Sequence, residues 1–122
     1  MAGAPDPDLA IGGQSADAVI NDPALTARIA PIFKAAFGDK AVQDPRPTVA
    51  SEDYSQFVDA GLTQSLYFMI GVYDPARVAA AAAGGAPLPV NHSPLYAPVP
   101  EPTIRTGVEA MTLAVLGVMG SR

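Results

Sequence analysis

The stretch Leu66-Tyr67-Phe68-Met69-Ile70-Gly71-Val72 is a continuous apolar run that includes aromatic side chains. Such a run is typical of a strand buried on both faces of a parallel or mixed sheet. Helical patterns lie on either side of it in the chain. Because helices that alternate with strands favour layered packing, the sequence predicts fold class α/β. We expect a partial layered sheet with flanking helices, in which 66–72 is the central strand.

A helix is predicted over 102–119, after the run. Its apolar residues recur at helical spacing along one stripe, which contains Ile104, Val108, Met111, Val115 and Met119. Because an amphipathic helix buries its apolar stripe, we expect the part of this stripe from Ile104 to Val115 to pack on the sheet.

Two helix starts precede the run. Asn21-Asp22-Pro23 combines a capping side chain with a proline at the first helical position, and Gly38 follows at a usual helix end. Ser51-Glu52-Asp53 combines a hydroxyl cap with first-turn carboxylates, which predicts a short helix to about Ala60. Between these helices, 41–49 is compatible only with an edge or irregular strand, because it contains prolines.

A further helix start, Asp74-Pro75, predicts a short helix through Ala83 that Gly84-Gly85 would stop, although a flexible insertion fits this alanine-rich segment equally well. The stretch 87–102 holds six prolines and should be a loop without regular pairing.

Composition limits the classes of function. The net charge of −5 opposes binding to nucleic acid or to anionic membrane surfaces. The absence of cysteine excludes disulfides and thiolate metal sites within the chain, and it leaves the redox compartment open. The amino terminus lacks a signal peptide pattern, so a cytoplasmic location is the expectation.

His92 is the only histidine of the chain and the only candidate imidazole ligand or near-neutral base. By spacing alone it is an ordinary loop residue, because a zinc site needs three or four ligands. Glu52 and Asp53 are the other polar candidates, since adjacent carboxylates orient a histidine, hold a metal or act as a general base. By pattern alone they mark a capped helix start.

Four stretches, in order, resemble the carboxy-terminal section of the zinc-dependent aminoacylase and carboxypeptidase family. The resemblance is to its amidohydrolase branch of hippurate hydrolases and auxin-conjugate hydrolases. The stretches are Asn21-Asp22-Pro23-Ala24-Leu25, Ser51-Glu52-Asp53-Tyr54-Ser55-Gln56-Phe57, Tyr67-Phe68-Met69-Ile70-Gly71 and Asn91-His92-Ser93-Pro94-Leu95-Tyr96. In the second, Tyr54 replaces the family's usual phenylalanine.

The resemblance implies a domain division and site roles. Residues 1–20 would be a linker or a remnant of the junction to the lid domain, and 21–122 the carboxy-terminal portion of the catalytic domain. His92 would be a metal ligand. Gly71 would line the substrate pocket, and Ser51, Glu52 and Asp53 would shape the site as second-shell or pocket residues.

The resemblance also implies zinc or manganese as the cofactor of the intact enzyme and an N-acyl amino acid as its substrate. The family's other ligands, a Cys and His pair, a Glu-Glu pair with the general base and a further His, have no counterpart here. We therefore expect a fragment that binds no metal tightly by itself, is inactive, and either forms a homo-oligomer or pairs with the missing half. The alternatives are a non-enzymatic interaction module with the half-domain fold, or an unrelated α/β binding domain.

Overall fold

The computed structural model describes Gly3, Asp8, 17–42, 52–59 and 64–120. Helix α1 spans Pro23–Phe37 and leads into a short 3-10 helix over Gly38–Lys40. A single-turn helix, α2, spans Ser55–Asp59. Helix α3 spans Pro75–Ala82, and the longest helix, α4, spans Pro100–Met119.

The helix starts at Asp22 and Asp74 are confirmed. The Asp22 carboxylate accepts from the Leu25 amide at 2.7 Å, and the Asp74 carboxylate accepts from the Ala76 amide at 2.8 Å. Each aspartate thereby satisfies a donor that a helix start leaves unpaired. Gly38, with φ of 59°, ends α1 at the predicted position. Helix α3 exists, so the alternative of a flexible insertion is not needed.

The fold centres on the contact between α1 and α4. Among the described residues, the buried apolar side chains are Ile29 of α1 and Ala110 of α4, with 1% and 2% of their surface exposed. The guanidinium of Arg28 donates to the main-chain oxygen of Val118 at 2.8 Å, which joins the two helices near the end of α4. Small residues on α4 let the large side chains of α1 approach its backbone closely.

The predicted α/β fold is wrong for the described part of the chain, which contains helices and no strand. In particular, 66–72 is not the central strand of a sheet. Exposure alternates from residue to residue along it, so the backbone is extended, but only one face is covered. Its main chain has no ladder partner among the described residues. The predicted burial of the apolar run on both faces is therefore wrong.

The expected burial of the apolar stripe of α4, from Ile104 to Val115, is also wrong. Ile104, Val108 and Met111 are 64%, 63% and 56% exposed, and Val115 is 46% exposed. With no sheet to pack on, α4 instead buries the side that carries Ala110 and Gly117. The predicted strand over 41–49 and the linker over 1–20 lie largely outside the described residues.

Candidate functional site

Glu52 connects the start of α2 to the extended segment 64–72. One carboxylate oxygen, Oε1, accepts from the main-chain amides of Asp53 at 3.1 Å and Tyr54 at 3.3 Å. The other, Oε2, accepts from the Tyr67 hydroxyl at 3.1 Å. The side chain thus pairs local amides and a residue of a distant segment at once, which fixes its position.

Tyr67, which bonds this carboxylate, belongs to an aromatic cluster with Tyr54 and Phe57. The Tyr54 ring lies 5.0 Å from the Tyr67 ring and 5.8 Å from the Phe57 ring, between centroids. The hydroxyl of Ser65 donates to the Tyr54 oxygen at 2.9 Å. Tilted aromatic pairs at these distances add to the stabilisation from burial alone. The cluster therefore holds α2 against the extended segment.

The Glu52 carboxylate changes the acidity of Tyr67. The hydrogen bond that Tyr67 donates to Glu52 raises the pKa of this phenol above its usual 10.0, and the negative charge of Glu52 raises it further. Both effects favour the neutral phenol, because ionisation removes the donor and places two anions side by side. Tyr67 therefore stays protonated, as a hydrogen-bond donor, throughout the neutral pH range.

Asn21 holds the other side of Tyr67. Its side-chain oxygen accepts from the Tyr67 amide at 2.6 Å and its amide nitrogen donates to the Tyr67 carbonyl at 2.9 Å. Next to it, the Asp22 amide donates to the Ser65 carbonyl at 2.8 Å. Asn21 thus pairs with the segment as a neighbouring strand would. The sequence marked Asn21 only as part of a helix start, and no local pattern indicated this contact.

The remaining residues that the resemblance placed near the site are spread out. Asp53 is exposed and its carbonyl accepts from the Gln56 amide in the first turn of α2. Gly71 is exposed, and a β-carbon there would have no atom within 4 Å. Ser51 lies outside the described residues. The structure therefore groups Glu52 with Tyr67, a residue of the run that the sequence predicts to be buried.

His92 lies in a tight turn, in which the Ser93 amide donates to the Val90 carbonyl at 3.1 Å. Its φ of 71° is in the left-handed region, where glycine or asparagine is usual at this position of a turn. The residue is exposed, and its imidazole makes no hydrogen bond to the described part of the chain. The turn thus presents an accessible imidazole on a strained backbone.

The His92 loop is attached to the far end of the extended segment. The Tyr73 hydroxyl donates to the Pro89 carbonyl at 2.5 Å, and its ring meets that of Tyr96 edge-on at 5.9 Å. The Val99 amide donates to the Val72 carbonyl at 2.8 Å. Six extended residues span roughly 20 Å, so the Tyr67 and Tyr73 anchor points are well separated. Glu52 is therefore bonded near one end of the extended segment, and the His92 loop is attached near the other end.

The side-chain donors in the described ranges do not make up a zinc site. In the ranges that the structure describes, no three His, Cys, Asp or Glu side chains come together. His92 alone supplies one nitrogen, whereas zinc takes three or four protein ligands. The described residues therefore do not fit the metal by themselves, and no catalytic step follows from them.

No helix in the described ranges is both long and apolar enough to cross a bilayer. Comparison with family models, with curated proteins and with solved structures found no match.

Proposed function

We propose that this chain forms the carboxy-terminal part of the catalytic domain of a metal-dependent amidohydrolase that cleaves N-acyl amino acids. In this role His92 is one ligand of a metal site, and the other ligands come from an amino-terminal part of the protein. The proposal starts from the four ordered motifs, and it draws its structural support from the extended segment 64–72 and from the turn at His92.

The observation that carries the proposal is that only part of the segment's backbone is hydrogen-bonded within the described residues. Main-chain groups of Ser65, Tyr67 and Val72 are paired, whereas those of Phe68, Met69 and Ile70 have no hydrogen-bond partner among the described residues. Free amides and carbonyls in an apolar extended run are a template for pairing with further extended chain. A part of a larger domain is expected to have such unpaired backbone groups, because neighbouring segments of the domain pair with them.

The conformation of His92 supports a functional role for the imidazole. A non-glycine residue in the left-handed region costs on the order of 1 kcal/mol in backbone strain. The His92 side chain is exposed and makes no hydrogen bond within the described ranges that would offset this cost. Strain of this kind is more common at functional positions than on inert loops. The turn would present the imidazole to ligands that come from outside this chain.

A non-enzymatic interaction module is the second candidate. It is favoured by the exposed apolar side chains of α4, which a binding surface would use. The two candidates differ in what accompanies the chain, because only the amidohydrolase needs the Cys-His pair and the Glu-Glu pair.

The test begins with the coding sequence immediately upstream of Met1. Those two motifs, in frame or in an adjacent reading frame, are the expected result, and their absence from both would overturn the proposal. The upstream part and this chain are then produced together and assayed for amine release from an N-acyl amino acid with zinc or manganese.

Substitutions in the joined protein test the role of His92. His92→Ala should lower bound metal and turnover together, because it removes a ligand. His92→Gly should do the same although it relaxes the turn, which separates loss of the imidazole from loss of local structure. Asn91→Ala, in the same turn, is the control and should retain both. Full metal content in both His92 variants would contradict the proposal.

A further inference from the structure

Tyr73 contacts both ends of the loop that carries His92. Its hydroxyl donates to the Pro89 carbonyl at 2.5 Å, three residues before His92 in the chain. Its ring meets the Tyr96 ring edge-on at 5.9 Å, four residues after His92. One side chain therefore holds the two positions between which the loop extends into solvent.

The exposure of the loop follows this arrangement. Pro89 and Tyr96 are partly buried, whereas Val90 and His92 are exposed. Two successive turns shape the part between the ends. The Ser93 amide donates to the Val90 carbonyl at 3.1 Å, and the Tyr96 amide donates to the Ser93 carbonyl at 3.0 Å. These bonds give the loop its local form, but they do not fix its position relative to the rest of the chain.

Two hydrogen bonds join the loop to earlier parts of the described chain. One is the bond from Tyr73 to Pro89. The other, from the Val99 amide to the Val72 carbonyl, is 2.8 Å long and lies seven residues beyond His92. Because Val99 directly precedes α4, this second bond restrains the entry to that helix and not the turn. The position of the turn therefore depends on Tyr73.

Tyr73 is itself held in place. The guanidinium carbon of Arg77 lies 5.1 Å from the centroid of the Tyr73 ring, where a cation is attracted to the aromatic face. Arg77 belongs to the first turn of α3, which the Asp74 carboxylate caps directly after Tyr73. The Val72 carbonyl, directly before Tyr73, is bonded as well. The backbone is thus fixed on both sides of Tyr73, which makes its side chain a firm support for the loop.

We propose that Tyr73 is a positioning residue that fixes the location of His92 for the metal of the proposed amidohydrolase. A designed or natural ligand must be held to within about 0.5 Å of its productive place, and residues that orient a ligand contribute about 10–100-fold to metal affinity. The imidazole is exposed, so the loop, and through it Tyr73, decides where it stands. The metal in this inference rests on the proposed function, whereas the attachment of the loop is a property of this chain alone.

The first experiment measures the loop in the full isolated chain by NMR. Tyr73→Phe removes the hydroxyl and keeps the ring. In this variant, ¹⁵N relaxation of the Asn91, His92 and Ser93 amides should show increased motion on the ps–ns or μs–ms timescale. Tyr96→Phe is the matched control, because it removes from the other ring of the pair a hydroxyl that makes no hydrogen bond within the described ranges. It should leave the relaxation unchanged. Circular dichroism establishes that both variants remain folded. Unchanged relaxation in Tyr73→Phe would overturn the proposal.

The second experiment measures metal binding in the protein that joins this chain to its amino-terminal part. Tyr73→Phe should raise the dissociation constant for zinc about tenfold and lower turnover at limiting zinc. Excess zinc should restore turnover in Tyr73→Phe, since the ligand is still present, but not in His92→Ala. Tyr96→Phe should match the wild type. A purely structural role of Tyr73 would lower yield and stability without this rescue by zinc.

The outcomes separate the two proposals. Zinc binding in Tyr73→Phe that equals that of the wild type would overturn the positioning role of Tyr73 and leave the proposed function standing. A joined wild type that binds no zinc would overturn the proposed function, and with it the metal role of Tyr73, even where the loop becomes mobile in Tyr73→Phe.

Discussion

The terminal methyl group of Ile32 lies so close to Gly117 that a β-carbon at Gly117 would approach it to 2.6 Å. The corresponding methyl group of Ile29 would be 2.8 Å away. A side chain at this position of α4 would force both methyl groups to shift, so the glycine allows a close contact between α4 and α1.

Alanine substitutions of two α4 glycines should have different effects on stability. Gly117→Ala should stabilise the protein less than Gly107→Ala by roughly 1 kcal/mol, because its β-carbon forces the methyl groups of Ile32 and Ile29 to shift and this offsets the gain in helix propensity. Gly107→Ala is the control, since its β-carbon would meet no atom within 4 Å, and it should raise stability by about 0.5–1 kcal/mol. Urea unfolding of both variants measures the difference. Equal effects would show that α1 and α4 do not pack as described.

Two serines near the aromatic cluster should also respond differently to alanine. The Ser55 hydroxyl is buried and has no hydrogen-bond partner among the described residues, so Ser55→Ala should leave stability unchanged or raise it. Ser65→Ala removes the donor to Tyr54 and should cost about 1 kcal/mol. Thermal unfolding followed by circular dichroism reports both changes. A larger loss for Ser55→Ala than for Ser65→Ala would contradict the hydrogen bonding at α2.

The pKa of Tyr67 should depend on Glu52. Glu52→Gln removes the negative charge and should bring the pKa of Tyr67 down towards its usual 10.0. Because the folded-state pKa is raised, the contribution to stability is present below pH 10 and is lost as pH rises through the folded-state pKa. Ultraviolet titration of the phenols measures the shift, and Tyr67→Phe identifies the transition that belongs to this residue. An identical titration in Glu52→Gln would disprove the contact.

The left-handed backbone at His92 predicts a difference between two variants that both lack the imidazole. His92→Gly should be more stable than His92→Ala by roughly 0.5–1 kcal/mol, because glycine adopts a positive φ without a β-carbon clash. Chemical denaturation of the isolated chain is sufficient for this comparison. Equal stability would remove the argument from backbone strain.

The isolated chain should release no amine from an N-acyl amino acid when zinc or manganese is added. One imidazole leaves too few ligands for a metal that activates water, and the general-base glutamate that the family resemblance implies has no counterpart here. The assay is amine release together with metal content after gel filtration, with His92→Ala as the control. Metal-dependent turnover above that control would overturn the proposal that an amino-terminal part supplies the other metal ligands.

Part of the candidate site followed from the sequence. Glu52 was predicted at a helix start, and its bonds to the Asp53 and Tyr54 amides fit that position. The bond from Tyr67 was not predictable, because the two residues are fifteen positions apart and only folding brings them together. The positive φ of His92 was likewise hidden, since nothing in Asn91-His92-Ser93-Pro94 specifies the turn type.

The sequence by itself determined where the capped helices begin, because Asp22-Pro23 and Asp74-Pro75 act within a few residues of their own backbone. Tertiary structure alone decided which faces are buried. The run 66–72 becomes a sheet strand only if other chain pairs with it, and the apolar stripe of α4 is buried only if a surface covers it. In the described residues no sheet is present, so α4 packs through Ala110 and Gly117, where small side chains admit Ile29 and Ile32.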